Sequence, residues 1–351
     1  MKYLYSLIII SVLALYNNAN AQVYDFQNIT LKSNWFDPAV VPEPFYGIKY
    51  NGMWAWHDGN GNEYAIIGST AGFYFVDVTD PFNPVMRDFV AGKKDSAIWR
   101  EVKTYNNYAY LVSDASPPNS FQIVDLSYLP DSVHVVHDNN TIFERAHALW
   151  VDNDKLYVAI PKGGLFTQAS MAVFSLANPE APVLLRKLND DFPSINSVHD
   201  MYVRNDTVFA SAEFSGLYIF TFTGNTFQIK GSVTTYPQQG YNHSSALSED
   251  GNTLIFMDEV PEGLAVKVLD VSDINNPSII TIFESNPGAT PHNPFILGDQ
   301  VFIAYYQDGL QVFDISDPAM PVRTGYFDTY WQNPAGVYTQ PPYAGAWGAY
   351  P

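Results

Sequence analysis

Apolar and polar positions alternate in short runs along this chain, and the runs recur at a nearly constant interval. Gly72–Pro84 reads GFYFVDVTDPFNP, Ser120–Pro130 SFQIVDLSYLP, and Ser170–Pro182 SMAVFSLANPEAP. Gly216–Asn225 reads GLYIFTFTGN, Leu264–Pro277 LAVKVLDVSDINNP, and Gly309–Pro321 GLQVFDISDPAMP. Each run is an alternating or fully apolar strand that ends in Asp, Ser or Thr, followed by a turn rich in Asp, Asn and Pro. The matched positions Asp77, Asp125, Ser175, Thr221, Asp270 and Asp314 are 48, 50, 46, 49 and 44 residues apart, the period of a propeller blade.

The other strands of a unit fall around this one. In the fourth unit, Ser197–Arg204, Thr207–Glu213, Gly216–Phe222 and Gln228–Val233 read as four strands joined by short polar turns, with Asn205-Asp206 turning the first pair. No helical period is sustained anywhere, and 24 Pro and 22 Gly punctuate the chain as turns. The pattern predicts an all-β propeller of four-stranded antiparallel blades and argues against a parallel α/β sheet. A blade has two apolar faces, and stacking in a ring buries both. Ile29–Trp35 is expected to close the ring by pairing with a unit near the C-terminus. A first-strand position recurs at Trp54, Trp99, His147, His199, His243, His292 and Trp347. The seventh copy, Gly345–Pro351, begins a strand and stops, so the expectation is seven blades with the last cut short at Pro351. Six blades are the alternative.

The N-terminus changes the setting. Lys2, the apolar run Tyr3–Leu15 and the small-residue pattern Ala19-Asn20-Ala21 read as a signal peptide over 1–21. That leaves a single propeller domain over 22–351, exported to the cell surface or the medium, with no second apolar stretch of spanning length. Cysteine is absent, which excludes disulfides, cysteine zinc sites and thiol catalysis. The net charge is -19, from 17 basic and 36 acidic residues. This balance offers no basic patch for nucleic acid. It favours divalent cations as partners, or serves solubility alone.

The blocks IWREVKTYNNYAYLVSD (from Ile98), HALWVDNDKLYVA (from His147), HDMYV (from His199), HSSALSEDGNTLIFMDE (from His243) and HNPFILGDQVFIAYYQDGLQVFDISD (from His292), with FDTY (from Phe327) and GAWGAYP (from Gly345), follow one another in order. The strand-and-turn signature resembles the LVIVD repeat, and the ordered set is similar to the choice-of-anchor B family of bacterial surface proteins. The resemblance covers nearly all of the chain after 1–21. It implies export, a propeller body and a C-terminal sorting or anchoring segment that varies between members. It implies no reaction.

Candidate chemistry concentrates at the repeated His. His147, His199, His243 and His292 share one repeat position, so a ring would present them to one region of its axis. Asp114, Glu213 and Glu259 end second strands, Asp258 lies beside Glu259, and Asp200 follows His199. Imidazole with carboxylate is a ligand set for zinc, manganese or iron. A wide channel keeps four His from one ion, so two neighbouring His with one acid form the plausible unit. The other reading is that these His tie blades together through backbone hydrogen bonds. Arg100, beside Trp99, suits a carboxylate or sugar acid, or an internal ion pair. Trp54, Trp56, Trp347 and Tyr241 suit stacking on a glycan, or core packing, and Trp54, Trp99, Arg100 and Trp347 are the candidate binding residues. Phosphate loops, paired-His zinc motifs and nucleophile elbows are absent. The Asp-Pro turns read as side-chain caps rather than calcium loops. Three functions stay open: a binding or adhesion scaffold for a glycan, peptide or surface protein, which is favoured; a metal-dependent hydrolase or lyase; and a purely structural surface domain.

Overall fold

A computed structural model describes residues 24–330 and 343–351. The expected signal peptide, 1–21, lies outside them. Strand β1 (Phe26–Gln27) precedes six four-stranded antiparallel sheets. The first is β2 (Tyr50–His57), β3 (Glu63–Ser69), β4 (Gly72–Asp77) and β5 (Val85–Ala91). The second is β6 (Arg100–Tyr105), β7 (Tyr108–Ser113), β8 (Phe121–Asp125) and β9 (His134–Asn139). The third is β10 (Leu149–Asp152), β11 (Lys155–Ala159), β12 (Met171–Ser175) and β13 (Val183–Lys187). The fourth is β14 (Asp200–Arg204), β15 (Thr207–Ser211), β16 (Leu217–Thr223) and β17 (Thr226–Val233). The fifth is β18 (Asn242–Leu247), β19 (Thr253–Asp258), β20 (Val266–Asp270) and β21 (Ser278–Phe283). The sixth is β22 (Pro291–Leu297), β23 (Gln300–Tyr305), β24 (Gly309–Asp314) and β25 (Val322–Phe327). No helix among the described residues is long and apolar enough to cross a membrane.

The repeat works at two levels. Locally, the recurring turn is capped in five of the six blades by the residue that ends the third strand; the fourth blade's third strand runs past Thr221 to Thr223 instead. Asp77, Asp125, Asp270 and Asp314 accept the backbone N–H two residues on, at 3.0, 2.9, 2.9 and 2.8 Å. Ser175 accepts Ala177 N–H in the same way at 3.2 Å. Third and fourth strands also shift register at one bulge per blade, such as Phe75/Val76, Ile219/Phe220 and Val312/Phe313. A bulge there steepens the twist that each outer edge carries. Between blades, facing apolar sides merge. Tyr157, Met171 and Val173 of the third blade pack on Met201, Val208 and Phe220 of the fourth, all buried.

Closure departs from the sequence-based expectation in two respects. The strand that pairs with the last blade is β1, not Ile29–Trp35: Phe26 lies opposite Phe327 and Gln27 opposite Tyr326. Asn28 turns the chain away at φ +55°, and its amide donates to Thr324 O at 2.7 Å, which ends the pairing. Trp35 instead packs on Tyr74 of the first blade, with ring centroids 5.1 Å apart. Seven four-stranded blades are likewise not formed: the described residues make six, the alternative count. Residues 343–351 carry no strand and sit between the sixth blade and the first. There Tyr350 wedges between Phe295 of β22 and Trp54 of β2, at 4.9 and 4.7 Å between centroids.

Candidate functional site

The innermost strands β2, β6, β10, β14, β18 and β22 line the axis, and alternate residues on each face the channel. Pairing register sorts these residues into layers. Glu101, Asp200, Ser244 and Asn293 occupy one position, opposite Val112, Ser211, Met257 and Ala304. Two residues further on, Trp54, Lys103, Trp150, Tyr202, Ala246 and Phe295 occupy the next. The His stand one residue before the first layer. His243 and His292 lie within bulges that break the register between Asn242 and Ser244 and between Pro291 and Asn293. The extra residue frees the backbone to turn each imidazole onto the cavity.

This register corrects the matched position. Arg100, not Trp99, stands where the His stand in the second blade, and Trp54 lies in the second channel layer. Trp347 does keep the His position: its carbonyl accepts from His292 Nδ1 at 2.5 Å, as His243 O accepts from His199 Nδ1 at 3.2 Å. The four His form a continuous ladder. Successive ring centroids are 4.0, 4.3 and 4.4 Å apart, each pair inclined by 48°. All four line one axial cavity of about 110 Å³, together with Glu101, Asp200 and Glu259.

Hydrogen bonding fixes the ladder's chemistry. A carbonyl only accepts, so the Nδ1 of His199 and of His292 carries the proton and Nε2 keeps a bare lone pair. Burial drives His199 and His243 well below the ordinary imidazole range, with neighbouring His adding to the effect at both. Burial takes His292 down to about 3. These three rings are therefore neutral at neutral pH, the form that ligates metals. His147 differs. Burial pulls it down, but its 3.0 Å contact with the Asp114 carboxylate outweighs that and leaves it raised.

A second acid joins the ladder at His243. Glu259 Oε2 lies 3.8 Å from His243 Nε2, and Tyr306 donates to Glu259 Oε1 at 2.6 Å. One candidate ligand atom each from His243, Glu259 and His292 lies within 4.8 Å of the others. Burial raises the Glu259 and Asp200 carboxyls and pushes Glu101 up to about 7, with Lys103 partly opposing the shift at the latter two. Gly52 makes room for Glu101: a Cβ there would stand 2.6 Å from Glu101 Oε1 and 2.2 Å from Arg100 O.

The remaining expected ligands and binding residues lie elsewhere or are committed. Asp258 is fully buried inside the fifth blade, 2.5 Å from Lys267 Nζ and accepting from Tyr236 OH at 2.8 Å. Glu213 accepts from Ser197 Oγ at 2.5 Å and is not part of the cavity wall. Arg100 is neither a free anion receptor nor a member of a carboxylate pair. It donates to the carbonyls of Ser69, Thr70 and Lys94 at 2.7, 3.3 and 2.7 Å, clamping the second blade to the first. Trp99 and Trp347 pack with Ile48, Ile98 and Tyr306 at the cavity edge, and Trp54 forms part of the channel's aromatic layer. Lys103 did not stand out in the sequence. The signal available was the alternation of Glu101 and Lys103 about the buried Val102, which places both on one strand face.

Fold and site together define a β-propeller of four-stranded blades with a channel lined by His and acids. Within that class, a family profile for the LVIVD repeat matches residues 295–329, which span most of the sixth blade. No curated protein matches the sequence. Among solved structures, the chain is similar to a protein from Lactobacillus plantarum, with a TM-score of 0.58 and 11% identity over 80% of this chain and 83% of that one. It is also similar to a periplasmic gluconolactonase from Pseudomonas aeruginosa, with a TM-score of 0.57 and 12% identity over 80% of this chain and 88% of that one. The computationally designed Ika8 protein is similar with a TM-score of 0.52 and 10% identity, over 80% and 75% of the two chains. At these identities the likeness is one of fold.

Proposed function

We propose that this chain is an exported binding propeller whose ligand enters the axial cavity and meets a divalent transition-metal ion held by His243, His292 and Glu259. One observation carries the reading: the His292 Nδ1 proton is spent on the Trp347 carbonyl, which leaves Nε2 as a lone pair on a ring that has one nitrogen within 4.8 Å of ligand atoms of Glu259 and His243. Ligating imidazoles are oriented by such outer bonds. Two imidazoles and a carboxylate suit zinc, manganese or iron, and three protein ligands leave room for a further one from the cavity. Trp54, Trp99 and Trp347, candidates for ligand contact from the sequence, line the axial cavity, which favours the axis as the binding place. Export rests on the 1–21 segment, and membership of the choice-of-anchor B family on the ordered sequence blocks.

The test is metal content. Purified protein dialysed against zinc or manganese is expected to hold about one ion per chain by elemental analysis. His292→Ala and Glu259→Gln are expected to lose it, while His134→Ala, on the outer strand β9, keeps it. An intact protein that takes up neither metal would leave the His as blade ties and end this reading. A second reading, a metal-dependent hydrolase or lyase, draws on the cavity lined by His and acids and on the gluconolactonase that shares the fold. It predicts zinc-dependent turnover of small esters or lactones that His292→Ala abolishes.

A further inference from the structure

Lys103 is the one charged residue in a channel layer whose other members are Trp54, Trp150, Tyr202, Ala246 and Phe295. Five blades fill this position with an apolar or aromatic side chain, so the repeat itself does not call for a lysine. Its residue is only 9% exposed, and burying an ammonium is costly unless it is paired and hydrogen-bonded. Yet its bonding is sparse. Nζ donates to Val102 O at a long 3.3 Å. Glu101 Oε2 stands at 3.9 Å, beyond hydrogen-bond range. Two ring faces flank it, Trp54 at 4.2 Å and Trp150 at 5.6 Å, and Asp200 lies near enough to feel its charge. An ammonium has three donors, so among the described residues most of its capacity is unspent, and it lines the same cavity as the His ladder.

We propose that Lys103 is the anion-recognition residue of the axial cavity and that the ligand is a small carboxylate. The cation–π contacts hold the ammonium from behind and leave its donors for an incoming group. They also disfavour a cationic ligand, because the aromatic faces that would attract it already carry Lys103. Glu101 and Asp200 line the same cavity, where each can accept a hydrogen bond from a hydroxyl on the same ligand. A cavity of about 110 Å³ has room for a small carboxylate.

This inference rests on the axial cavity as the working site, and it is read separately from the metal. Glycolate, ethylene glycol and ethanolamine are anionic, neutral and cationic molecules of nearly one shape. Titration calorimetry of the full mature chain, with and without zinc, is expected to show binding of glycolate alone. Lys103→Met keeps the apolar stem and is expected to weaken glycolate by about tenfold or more, the loss typical of a charge-assisted hydrogen bond. Lys103→Arg is expected to retain binding, and zinc content should not change in either variant. Should Lys103→Met fail to fold, Lys103→Gln takes its place with the same expected loss. Glycolate binding that depends on Lys103 in a protein that takes up no metal supports this inference while sinking the metal centre. Equal glycolate affinity in wild type and Lys103→Met, or no glycolate binding in either form of the wild type, overturns it.

Discussion

Individual side chains at the axis are governed by burial more than by sequence neighbours. Glu101 shows this most plainly: its carboxyl is pushed from an ordinary 4.5 up to about 7 by loss of water, despite Lys103 nearby. Because the folded value is the higher one, the contribution of this group to stability is complete below pH 4.5 and is lost as pH rises through about 7. Glu101→Gln keeps the shape and removes the titration. The melting temperature of the variant should therefore rise relative to wild type as pH is taken from about 4.5 to about 8. A difference that stays flat over that range would show that Glu101 does not titrate abnormally. Lys103 and Arg100 make a related contrast. Both are buried cations of one strand, but Arg100 spends its donors on three carbonyls of the neighbouring segment while Lys103 retains most of its own.

Blades are held by caps within and by pairs that no repeat would suggest. Asp77 ends β4, accepts Thr79 N–H at 3.0 Å and pairs with Arg87 at 2.8 Å, with its side chain 13% exposed. Asp77→Ala should cost about 1–2 kcal/mol in urea unfolding, the sum of a cap and one partly exposed ion pair. No change in the midpoint would mean that the turn forms without its cap. In the fifth blade, Lys267 of β20 and Asp258 of β19 are both fully buried. Removing one partner leaves a lone charge, so Lys267→Met should destabilise by about 3–5 kcal/mol. Asp258→Asn combined with Lys267→Met should recover part of that loss, since no net charge is then stranded. A double variant as unstable as the single would assign the cost to packing against Tyr236 rather than to charge. Both features lie on strands that sequence periodicity located correctly. The caps were legible because they are local. The Lys267–Asp258 pair was not, because it depends on which strands pair and in what register.

The ring as a whole couples its axial site to its closure. The carbonyl that fixes the His292 tautomer belongs to Trp347, 55 residues away, in the segment that fills the arc between the sixth blade and the first. An ion bound on His243, His292 and Glu259 would bind only the folded ring, so zinc at a hundredfold excess over its dissociation constant should add about 2.7 kcal/mol to unfolding stability. His292→Ala should abolish the gain, and a zinc-independent unfolding midpoint in wild type would argue against the centre.

Hydrophobic alternation, turn chemistry and the repeat interval are short-range properties, so the sequence by itself determined an all-β ring of four-stranded units. It also pointed to the shared height of the four His, because each stands at the start of its blade's first strand. The identity of the working cluster was decided only by the tertiary structure. Bulges at His243 and His292 and the pairing register moved Trp54 and Trp99 out of the His position and put Arg100 in. Burial withdrew Asp258 into an ion pair, and channel alternation brought Lys103 beneath the ladder. Each of these depends on contacts between residues far apart in the chain, whose geometry is set only when the blades stack.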